Sequence, residues 1–415
     1  MVGLGDSGFS AAKFLAGKGA VVRLTESGSS GNIESRMKEL EGLGILIETG
    51  GHTGAFCSEA DVVVVSPGVD MRVLRSKSIL PNNVPVIGEI ELGVAFCRGK
   101  IVAVTGTNGK STTVELIGHI LRLSGRRAVV CGNIGTPFTS VVNDLEDADV
   151  AVVEVSSFQL ETIMEFKPHI AALLNVSDDH FDRHGGYERY KLEKFRIFSN
   201  QDRSDYALIH SDLRGDAALD SLKGRIIFFD ETDAVFDRRN TVLRGRHNLD
   251  NAKCASEVCR LLGISEDDIA AGIKTFKGLD CRYESIGNFG GVEYIDDSKA
   301  TNIDATRRAL ESLTGKAVLI AGGRDKGGDY RSIRSVIREK VKMMVVIGES
   351  REKIKAAFSD IIRVVDALTM KEAVKIAVSA ADPGDTVILS PMCSSFDMFK
   401  SYRERGEVFR KEVMQ

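Results

Sequence analysis

The chain has 415 residues, a length that suggests two or three domains with enough apolar side chains for separate cores. Hydrophobic residues make up 43% and charged residues 27% of the chain, and the formal net charge is -4 without a long run of either sign. This composition is ordinary for a globular protein and gives no sign of a partner such as nucleic acid or an anionic membrane. No apolar stretch approaches the roughly 20 residues that span a bilayer.

Cysteine use and the first residues of the chain bear on its location. The seven cysteines form no C-x-x-C pair, so neither a zinc ribbon nor a disulfide framework is expected. The first residues lack the charged and apolar regions of a signal peptide. We therefore expect a cytoplasmic protein with reduced thiols.

A glycine-rich turn opens the chain. The run Gly3-Leu4-Gly5-Asp6-Ser7-Gly8 fits the G-x-G-x-x-G pattern, and a predicted helix, a predicted strand over 20–24 and Glu26 follow it. An acidic residue at this distance makes the segment half of a dinucleotide fingerprint, so an NAD-binding protein is one hypothesis. Only Met1 and Val2 precede the first glycine, however. The strand that should lead into the turn is therefore nearly absent, and the motif is weak without it.

Two later features complete the first segment. An apolar run over 61–65 predicts a buried strand, and it ends in the small-residue turn Ser66-Pro67-Gly68. Sheets of α/β proteins bind their ligands at the carboxyl ends of their strands, which is where this turn lies. The polar stretch over 80–88, with its prolines, then predicts the first domain boundary.

A second glycine-bracketed turn lies between a strand and a helix. A β-branched run over 101–105 predicts a buried strand, and an apolar-periodic helix follows the turn. The glycines allow several amide N–H groups to point at one anion, and the helix N-terminus adds partial positive charge. Lys110 can reach the β- and γ-phosphates of a nucleotide, and the Ser111 hydroxyl can ligate Mg²⁺. We therefore predict an ATP site at residues Gly106, Thr107, Asn108, Gly109, Lys110, Ser111 and Thr112.

Later strand ends carry side chains that suit a nucleotide site. Asn133 lies in the turn after one strand, and Glu154 ends an apolar strand, where a Mg²⁺ ligand belongs in a nucleotide enzyme. The strand over 170–176 is followed by two aspartates and His180, for which a metal or phosphate role and an ordinary polar role stay equally open. By pattern alone, Lys194 is a lysine on a helix surface.

Two asparagines stand at the start of a predicted helix. Asn248 and Asn251 are three residues apart and therefore share a helix face. Paired amides can bind the edge of an adenine, but asparagine also caps helices, and the pattern does not decide between the two.

The last segment, from about residue 278, alternates strands and helices. This alternation predicts a second doubly wound parallel sheet. Lysines and hydroxyl side chains follow three of its strands, over 297–302, 322–327 and 390–397. Such groups at one edge of a sheet suit a small anionic substrate.

Seven motifs, taken in chain order, closely resemble those of the Mur ligases. They are Thr105-Gly-Thr-Asn-Gly-Lys-Ser-Thr112, Gly132-Asn-Ile-Gly-Thr-Pro137, Ser156-Ser-Phe-Gln-Leu160, Asp178-Asp-His180, Gly245-Arg-His-Asn248, Asp297-Ser-Lys-Ala-Thr-Asn302 and Leu389-Ser-Pro-Met-Cys-Ser-Ser395. The third motif resembles the branch of the family that adds D-glutamate. Sibling Mur-type ligases and folylpolyglutamate synthases share the phosphate loop and the acid and histidine positions, so they are the alternatives.

The resemblance implies a three-domain α/β enzyme. A Rossmann-like domain over 1–87 would bind a UDP-sugar, a central P-loop α/β domain over 88–277 would bind ATP, and a doubly wound Rossmann-like domain over 278–415 would bind the incoming amino acid. The implied reaction is ATP-dependent amide formation between D-glutamate and UDP-N-acetylmuramoyl-L-alanine through an acyl phosphate, in peptidoglycan synthesis. The implied cofactors are ATP and Mg²⁺ at two sites, and we expect a monomer.

The matching motifs also assign individual residues. The catalytic candidates are Lys110, Asn133, His180 and Lys194, and the candidate metal ligands are Ser111, Glu154, His180 and Lys194. Lys194 matches the lysine that the family carbamylates, a change that turns a cation into an anionic ligand. The nucleotide-contacting candidates are Asn248, Asn251, Arg282, Asp297 and Lys299. The D-glutamate candidates are Thr301, Lys326, Ser395 and Phe396, and those for the UDP-sugar are Gly5, Asp6, Ser7, Ser27, Ser66 and, near the reacting centre, Asn133.

The chain departs from the family pattern at two positions and in its truncated first strand, which also concerns the UDP-sugar. Family members often have a basic residue after the acid and the hydroxyl of the uracil loop, whereas this chain has Gly28 after Glu26 and Ser27. The missing basic contact concerns the UDP-sugar and not the ATP chemistry. The second departure is mild, since Tyr402 stands where the family often has phenylalanine.

Overall fold

The computed structural model describes residues 1–28, 31–81, 83–177, 181–236, 241, 243 and 245–415. The chain forms two compact units. The first consists of Met1–Asn175, Glu188–Val235 and Lys253–Ile273, and the second of Val176–Tyr187, Phe236–Ala252 and Lys274–Gln415. This division differs from the three predicted domains, whose boundaries stay predictions. No helix in the described ranges is long and apolar enough to cross a membrane.

The first sheet lies in the N-terminal part of the first unit. Its strands are β1 (Arg23–Glu26), β2 (Leu46–Thr49), β3 (Val63–Val65) and β4 (Val86–Gly88), and its helices are α1 (Asp6–Gly17), α2 (Gly31–Glu41), α3 (Gly54–Cys57), α4 (Met71–Ser76) and α5 (Glu89–Val94). β1 pairs with β2, and β3 with β4, all in parallel. Val2 forms parallel bridges to Thr25 and to Val65, so this single residue takes the place of a strand between β1 and β3.

The second sheet belongs to the same unit and carries the phosphate loop. Its strands are β5 (Lys100–Thr105), β6 (Ala128–Gly132), β7 (Val150–Glu154), β8 (Ile170–Leu173), β9 (Tyr206–Ile209) and β10 (Arg225–Phe228). They are parallel and lie in the order β10-β9-β8-β5-β7-β6. Val102, Ala103 and Val104 are fully buried, as expected for an inner strand of a sheet that is covered on both faces.

Helices alternate with these strands and follow them in the central part of the chain. They are α6 (Lys110–Leu123), α7 (Ser157–Leu160), α8 (Phe181–His184), α9 (Tyr187–Phe195), α10 (Arg246–Leu261) and α11 (Glu266–Thr275). Short 3-10 helices cover Phe138–Ser140, Val142–Asp144, Arg196–Phe198, Ser211–Leu213, Ala217–Ser221 and Phe229–Glu231. The helix after the phosphate loop, α6, therefore begins at Lys110, as the glycine-bracketed turn predicts.

The third sheet forms the core of the second unit. Its strands are β11 (Glu284–Phe289), β12 (Val292–Asp296), β13 (Ala317–Gly322), β14 (Val341–Ile347), β15 (Arg363–Asp366) and β16 (Thr386–Leu389), in the order β11-β12-β16-β13-β14-β15. The helices are α12 (Ile303–Glu311), α13 (Arg334–Lys340), α14 (Arg351–Phe358), α15 (Met370–Ala380) and α16 (Tyr402–Val413), with a 3-10 helix at Tyr330–Ile333. β12 to β16 are parallel, as predicted, and β11 adds an antiparallel edge strand.

Alternate residues of this sheet serve two separate cores. On β13, Leu319 packs in a cluster with α12, α13 and α14, whereas its neighbour Val318 packs in another cluster with α15 and Phe409 of α16. This is the period of two that a strand imposes on its side chains. Helices therefore cover both faces of the sheet, which confirms the doubly wound prediction and leaves the carboxyl ends of the strands open to carry a site.

Two buried glutamates fix α5 at the end of the first sheet. Glu91 accepts hydrogen bonds from the backbone N–H groups of Met164 (2.9 Å), Glu165 (2.7 Å) and Phe166 (3.1 Å). Glu89 is fully buried, and its Oε1 accepts from the N–H (2.6 Å) and the hydroxyl (2.8 Å) of Thr139. Its Oε2 has no hydrogen-bond partner among the described residues. Burial therefore raises the pKa of Glu89 from 4.5 to about 6.

We expect Glu89→Gln to stabilise the protein at pH 8 and to lose that advantage near pH 4.5. The folded protein keeps a proton on Glu89 that the unfolded chain releases, so stability falls as pH rises from 4.5 to about 6. The loss is about 2 kcal/mol, and a neutral amide avoids it. Urea unfolding of both proteins at the two pH values measures the difference.

The matched control is Glu352→Gln, which changes a carboxylate that is 84% exposed. It should have little effect at either pH, because an exposed carboxylate loses no hydration on folding. The account of Glu89 is wrong if the two variants shift the urea midpoint equally.

Candidate active site

The phosphate loop follows β5 and leads directly into α6. Gly106 (φ +154°) and Gly109 (φ +90°) adopt backbone conformations that residues with a Cβ rarely take. Both therefore have to be glycine for the chain to turn and present its amides at the start of the helix. A helix N-terminus of this kind attracts phosphate through its free N–H groups and its dipole.

A residue outside the sequence prediction holds this loop in shape. Asn175, just after β8, accepts from the Asn108 N–H and donates to the Asn108 carbonyl, both at 3.0 Å. Its own carbonyl accepts from the Thr107 N–H at 3.0 Å. The pattern missed Asn175 because it falls inside the predicted strand over 170–176. An amide side chain at the end of an otherwise apolar run was the available signal.

Two lysines meet the same loop. Lys110 Nζ donates to the carbonyls of Gly106 (2.7 Å) and Thr107 (3.0 Å). Lys194 Nζ also donates to the Gly106 carbonyl, at 2.9 Å, and lies 4.5 Å from the centre of the Tyr190 ring. Two ammonium groups on one carbonyl concentrate positive charge where a nucleotide phosphate is predicted to bind.

The burial of Lys194 contradicts its interpretation as a surface lysine. The residue is 1% exposed, and Tyr190, four residues earlier on α9, is 2% exposed. Residues four apart on a helix share a face, and here that face points inward. The Tyr190 hydroxyl lies 3.2 Å from the Thr107 hydroxyl, so α9 contacts the phosphate loop through both side chains. Only the family resemblance pointed to Lys194.

A buried carboxylate joins the ends of three neighbouring strands. Glu154, at the end of β7, is 1% exposed. Its Oε2 accepts from the Ser111 hydroxyl at 2.5 Å, and its Oε1 accepts from the Asn133 amide at 2.8 Å. Because β5 and β6 flank β7, the loops after them bring Ser111 and Asn133 to this carboxylate. The structure thus places three sequence-predicted residues within hydrogen-bonding distance.

These groups suit a Mg²⁺ ion, which prefers hydroxyl, carboxylate, water and phosphate oxygens. Within the described ranges, no three His, Cys, Asp or Glu side chains cluster as they would in a metal site built wholly from such ligands. The oxygens of Ser111 and Glu154 would therefore share the ion with phosphate and water. His180 and the two aspartates before it lie outside the described residues.

A cleft of about 640 Å³ in the first unit collects the predicted UDP-sugar residues. Its walls come from the glycine turn, the loop after β1, the turn after β3 and the loop after β6. The lining includes Gly5, Asp6, Ser7, Ser27, Ser66 and Asn133. The cleft therefore runs from the glycine turn to the amide that bonds Glu154, so a ligand bound in it would approach the predicted phosphate site.

Glu26 and Gln159 also line this cleft, and their hydrogen bonds differ. Glu26 Oε2 accepts from the Leu4 N–H and Oε1 from the Gly28 N–H, both at 2.6 Å, so the carboxylate ties two loops together. Gln159 is 2% exposed and lines the cleft, and its Nε2 has no partner among the described residues. Gln159 belongs to the motif over 156–160 but is not among the sequence-predicted site residues.

The loops of the second unit hold most of the other candidates. Asp297, after β12, accepts from the Ser390 hydroxyl (2.8 Å) and the Tyr283 N–H (3.1 Å), and burial raises its pKa to about 7. Lys299 lies 3.8 Å from the centre of the Tyr402 ring. Arg282 lies next to Tyr283, which has a left-handed backbone (φ +48°), a strain often found at functional sites.

The paired asparagines and the D-glutamate candidates occupy distinct places in this unit. The Asn251 amide donates to the Asn248 carbonyl oxygen at 3.3 Å, so the two side chains share a face as predicted. Lys326 lines a cavity of about 450 Å³, and the described lining does not include Thr301, Ser395 or Phe396. Ser395 is 2% exposed, whereas its neighbour Phe396 is 66% exposed.

Family models match most of the chain. The model for the MurD-like N-terminal domain of Mur ligases matches residues 1–88, that for the Mur ligase middle domain matches 104–242, and that for the glutamate ligase domain of Mur ligases matches 281–393. They therefore cover the glycine turn, the phosphate loop and the loops of the third sheet in turn.

Full-length relatives and a solved structure agree with these models. The chain is 40% identical over 436 residues to the UDP-N-acetylmuramoylalanine–D-glutamate ligase of Desulfosudis oleivorans, covering 100% of this chain and 95% of the relative. It is 39% identical to the enzyme of the same name from Pelotomaculum thermopropionicum, with 100% and 96% covered. The MurF ligase of Thermotoga maritima in complex with ADP has the same fold, with a TM-score of 0.61, 18% identity, and 86% of this chain and 96% of that one covered. The chain belongs to the Mur ligase family.

Proposed function

We propose that this protein joins D-glutamate to UDP-N-acetylmuramoyl-L-alanine in an ATP-dependent reaction of peptidoglycan synthesis. The observation that carries the proposal is the identity of about 40% over the full length to ligases that bear this activity in their names. The phosphate loop and the contact between Ser111, Glu154 and Asn133 give that identity a chemical basis. The reaction belongs in the cytoplasm, and we propose that the enzyme acts as a monomer.

The reaction has to overcome the low reactivity of a carboxylate. Transfer of the γ-phosphoryl group of ATP to the carboxylate of the alanyl residue gives an acyl phosphate, which has a good leaving group. The amine of D-glutamate attacks its carbonyl carbon, and the tetrahedral intermediate expels phosphate to leave an amide. Negative charge stays on oxygen throughout, so the site needs cations that are already in place.

The residues around the phosphate loop supply that environment. The loop amides and the Lys110 ammonium would bind the β- and γ-phosphates. Ser111 and Glu154 would hold Mg²⁺, and His180 would contribute to a second ion. Bound Mg²⁺ would neutralise phosphate charge during transfer. Asn133 both lines the cleft and bonds Glu154, which suits a residue at the meeting point of the two substrates.

The N-terminal cleft would bind the UDP-sugar. The glycine turn at the start of α1 offers free N–H groups to the diphosphate, and Ser27 and Ser66 offer hydroxyls. The Gln159 Nε2, which has no partner among the described residues, would supply a further donor to the same cleft. In the second unit, Asn248, Asn251, Arg282, Asp297 and Lys299 would contact the nucleotide, and Thr301, Lys326, Ser395 and Phe396 would hold D-glutamate. We retain 1–87, 88–277 and 278–415 as the domains for UDP-sugar, ATP and amino acid.

Lys194 is proposed to carry a carbamate. Lys194 is 1% exposed and lies beside the carbonyl of Gly106, and burial favours the neutral form of an amine, which is the form that reacts with CO₂. Addition of CO₂ to the neutral amine gives an anionic carbamate whose oxygens can ligate Mg²⁺.

Purified protein should release phosphate from ATP only when UDP-N-acetylmuramoyl-L-alanine, D-glutamate and Mg²⁺ are present together. The acyl phosphate forms only on the first substrate, and it turns over only when an amine attacks it. A coupled phosphate assay with each component left out in turn measures this dependence. Equal turnover with L-lysine, meso-diaminopimelate or a folate acceptor would instead identify a sibling ligase.

Glu154→Gln should lower kcat by at least about 100-fold and raise the Mg²⁺ concentration needed for half-maximal rate. The amide can still accept from Ser111, so the fold should survive while the charge that attracts the metal is lost. Kinetic titration with Mg²⁺ at saturating substrates checks the effect. The control is Glu165→Gln, which alters an exposed acid of the same unit and should behave as wild type. Similar behaviour of the two variants would exclude Glu154 as a metal ligand.

Lys194→Ala should be inactive and should recover part of its activity in millimolar acetate or a similar short-chain carboxylate. The small anion can occupy the space of the proposed carbamate and restore a ligand. Lys191, on the same helix, instead makes ion pairs with Glu188 and Asp216. Lys191→Ala should keep most activity and show no response to acetate. An active Lys194→Ala protein without added carboxylate would rule out the carbamate.

A further inference from the structure

The second unit contains a buried cation that the proposed reaction does not use. Arg405, on α16, is 0% exposed and heads the fully buried side chains by volume. Among the described residues, no carboxylate lies within ion-pair distance of its guanidinium. Its hydrogen-bond partners are backbone carbonyls instead. Nη2 donates to Ser298 O at 2.7 Å and to Cys393 O at 3.1 Å, and Nη1 donates to Cys393 O at 3.2 Å and to Gly322 O at 3.5 Å.

These carbonyls lie at or just after the carboxyl ends of three different strands. Ser298 follows β12, Gly322 is the last residue of β13, and Cys393 lies in the loop after β16. The three strands are neighbours in the order β12-β16-β13. One planar group therefore ties together the carboxyl ends of three adjacent strands.

Burial of the Arg405 guanidinium costs free energy of folding, so stability by itself does not explain an arginine at this position. Burial lowers the pKa of Arg405 to about 10, so the group stays charged at neutral pH, with partial compensation from the field of Asp296, Asp297 and Asp397. Apolar side chains usually fill such a position at a lower cost in stability. An arginine offers what they lack, since five N–H donors in one plane can reach several acceptors in fixed directions.

Two glycines allow α16 and the Arg405 guanidinium to lie close to the ends of the neighbouring strands. A Cβ on Gly406 would lie 2.4 Å from Asp296 Oδ2 and 2.6 Å from Ser298 Oγ, so glycine lets α16 approach the end of β12 without displacing these side chains. A Cβ on Gly323 would lie 2.2 Å from Ser394 O and 3.2 Å from Arg405 Nη1. Glycine at 323 therefore leaves room for the guanidinium, and glycine at 406 leaves room for the side chains of Asp296 and Ser298.

We infer that Arg405 is a positioning residue that sets the relative places of the three loops that would hold D-glutamate. The inference rests on the proposed function, because Thr301, Lys326 and Ser395 follow the three bonded carbonyls within a few residues. A substrate amine reacts efficiently only when the groups around it hold it at the right distance, and an error of about 1 Å can cost about 100-fold in rate. Arg405 acts on that distance through the loop backbones and does not touch the substrate.

Arg405→Lys is the variant that tests the inference. It keeps the charge, but the three donors of an ammonium radiate from one nitrogen, whereas Arg405 reaches the carbonyls of Ser298 and Gly322 from two separate nitrogens. We expect KM for D-glutamate to rise about tenfold or more and kcat to fall, as loosely held loops predict. KM for the UDP-sugar should stay within about twofold, because its cleft lies in the first unit. Steady-state kinetics on protein whose folding is confirmed by its melting curve measures all three values.

Arg410→Lys on the same helix is the matched control. Arg410 bonds the Glu284 carboxylate at 2.7 Å and none of the three loop carbonyls. It should therefore leave both KM values as in the wild type. A folded Arg405→Lys enzyme with the wild-type KM for D-glutamate overturns the inference, and so does an equal rise of both KM values. A wild-type enzyme without turnover of D-glutamate contradicts the proposed function itself.

If Arg405→Lys does not fold, hydrogen exchange of the wild-type protein tests whether Arg405 holds the three loops together. Loops held by one group should open together, so peptides over 297–301, 322–327 and 391–396 should share one opening free energy and one urea dependence. Three separate opening energies would overturn the inference.

Discussion

The contact between Glu154, Ser111 and Asn133 is the constraint on which the rest of the site depends. A carboxylate that is 1% exposed is stable only if its oxygens are bonded, and here a hydroxyl and an amide do this from the loops on either side. That requirement keeps β5, β6 and β7 adjacent and in register. It also puts the start of α6 and one end of the cleft beside one anionic group, which is where the proposed function would bring nucleotide and acceptor together.

In the other two sheets, a charged side chain also links backbone segments at the carboxyl edge. In the first sheet, Glu26 joins the backbone of Leu4 to that of Gly28. In the third, Arg405 joins three loop carbonyls. A charged group with several bonds fixes loops in place more tightly than apolar packing does, because hydrogen bonds to ions are strong and directional. The loops that carry the predicted site residues are thus held by buried or half-buried charge.

Sequence patterns predicted the structural features that depend on residues close together in the chain. The turn that contains Gly106 and Gly109, the strands on either side of it and the doubly wound third sheet follow from backbone freedom and from apolar periodicity. Contacts between distant segments left no such signal. Asn175 lies within a predicted strand, so the pattern did not indicate its role in the loop. Lys194 was interpreted as a surface residue, because the burial of its helix face depends on the segments that pack against α9. The antiparallel strand β11 escaped prediction because it is a half-exposed edge with an irregular register near Gly287.

The proposed reaction requires activation of the alanyl carboxylate by phosphorylation, and the fate of the carboxylate oxygens reports on that step. UDP-N-acetylmuramoyl-L-alanine labelled with ¹⁸O in both carboxylate oxygens should be converted with ATP and D-glutamate, and the released phosphate analysed by mass spectrometry. An acyl phosphate leaves with one substrate oxygen, so each phosphate should carry one ¹⁸O and the amide should keep the other. Phosphate without ¹⁸O, formed along with the amide, would contradict the account.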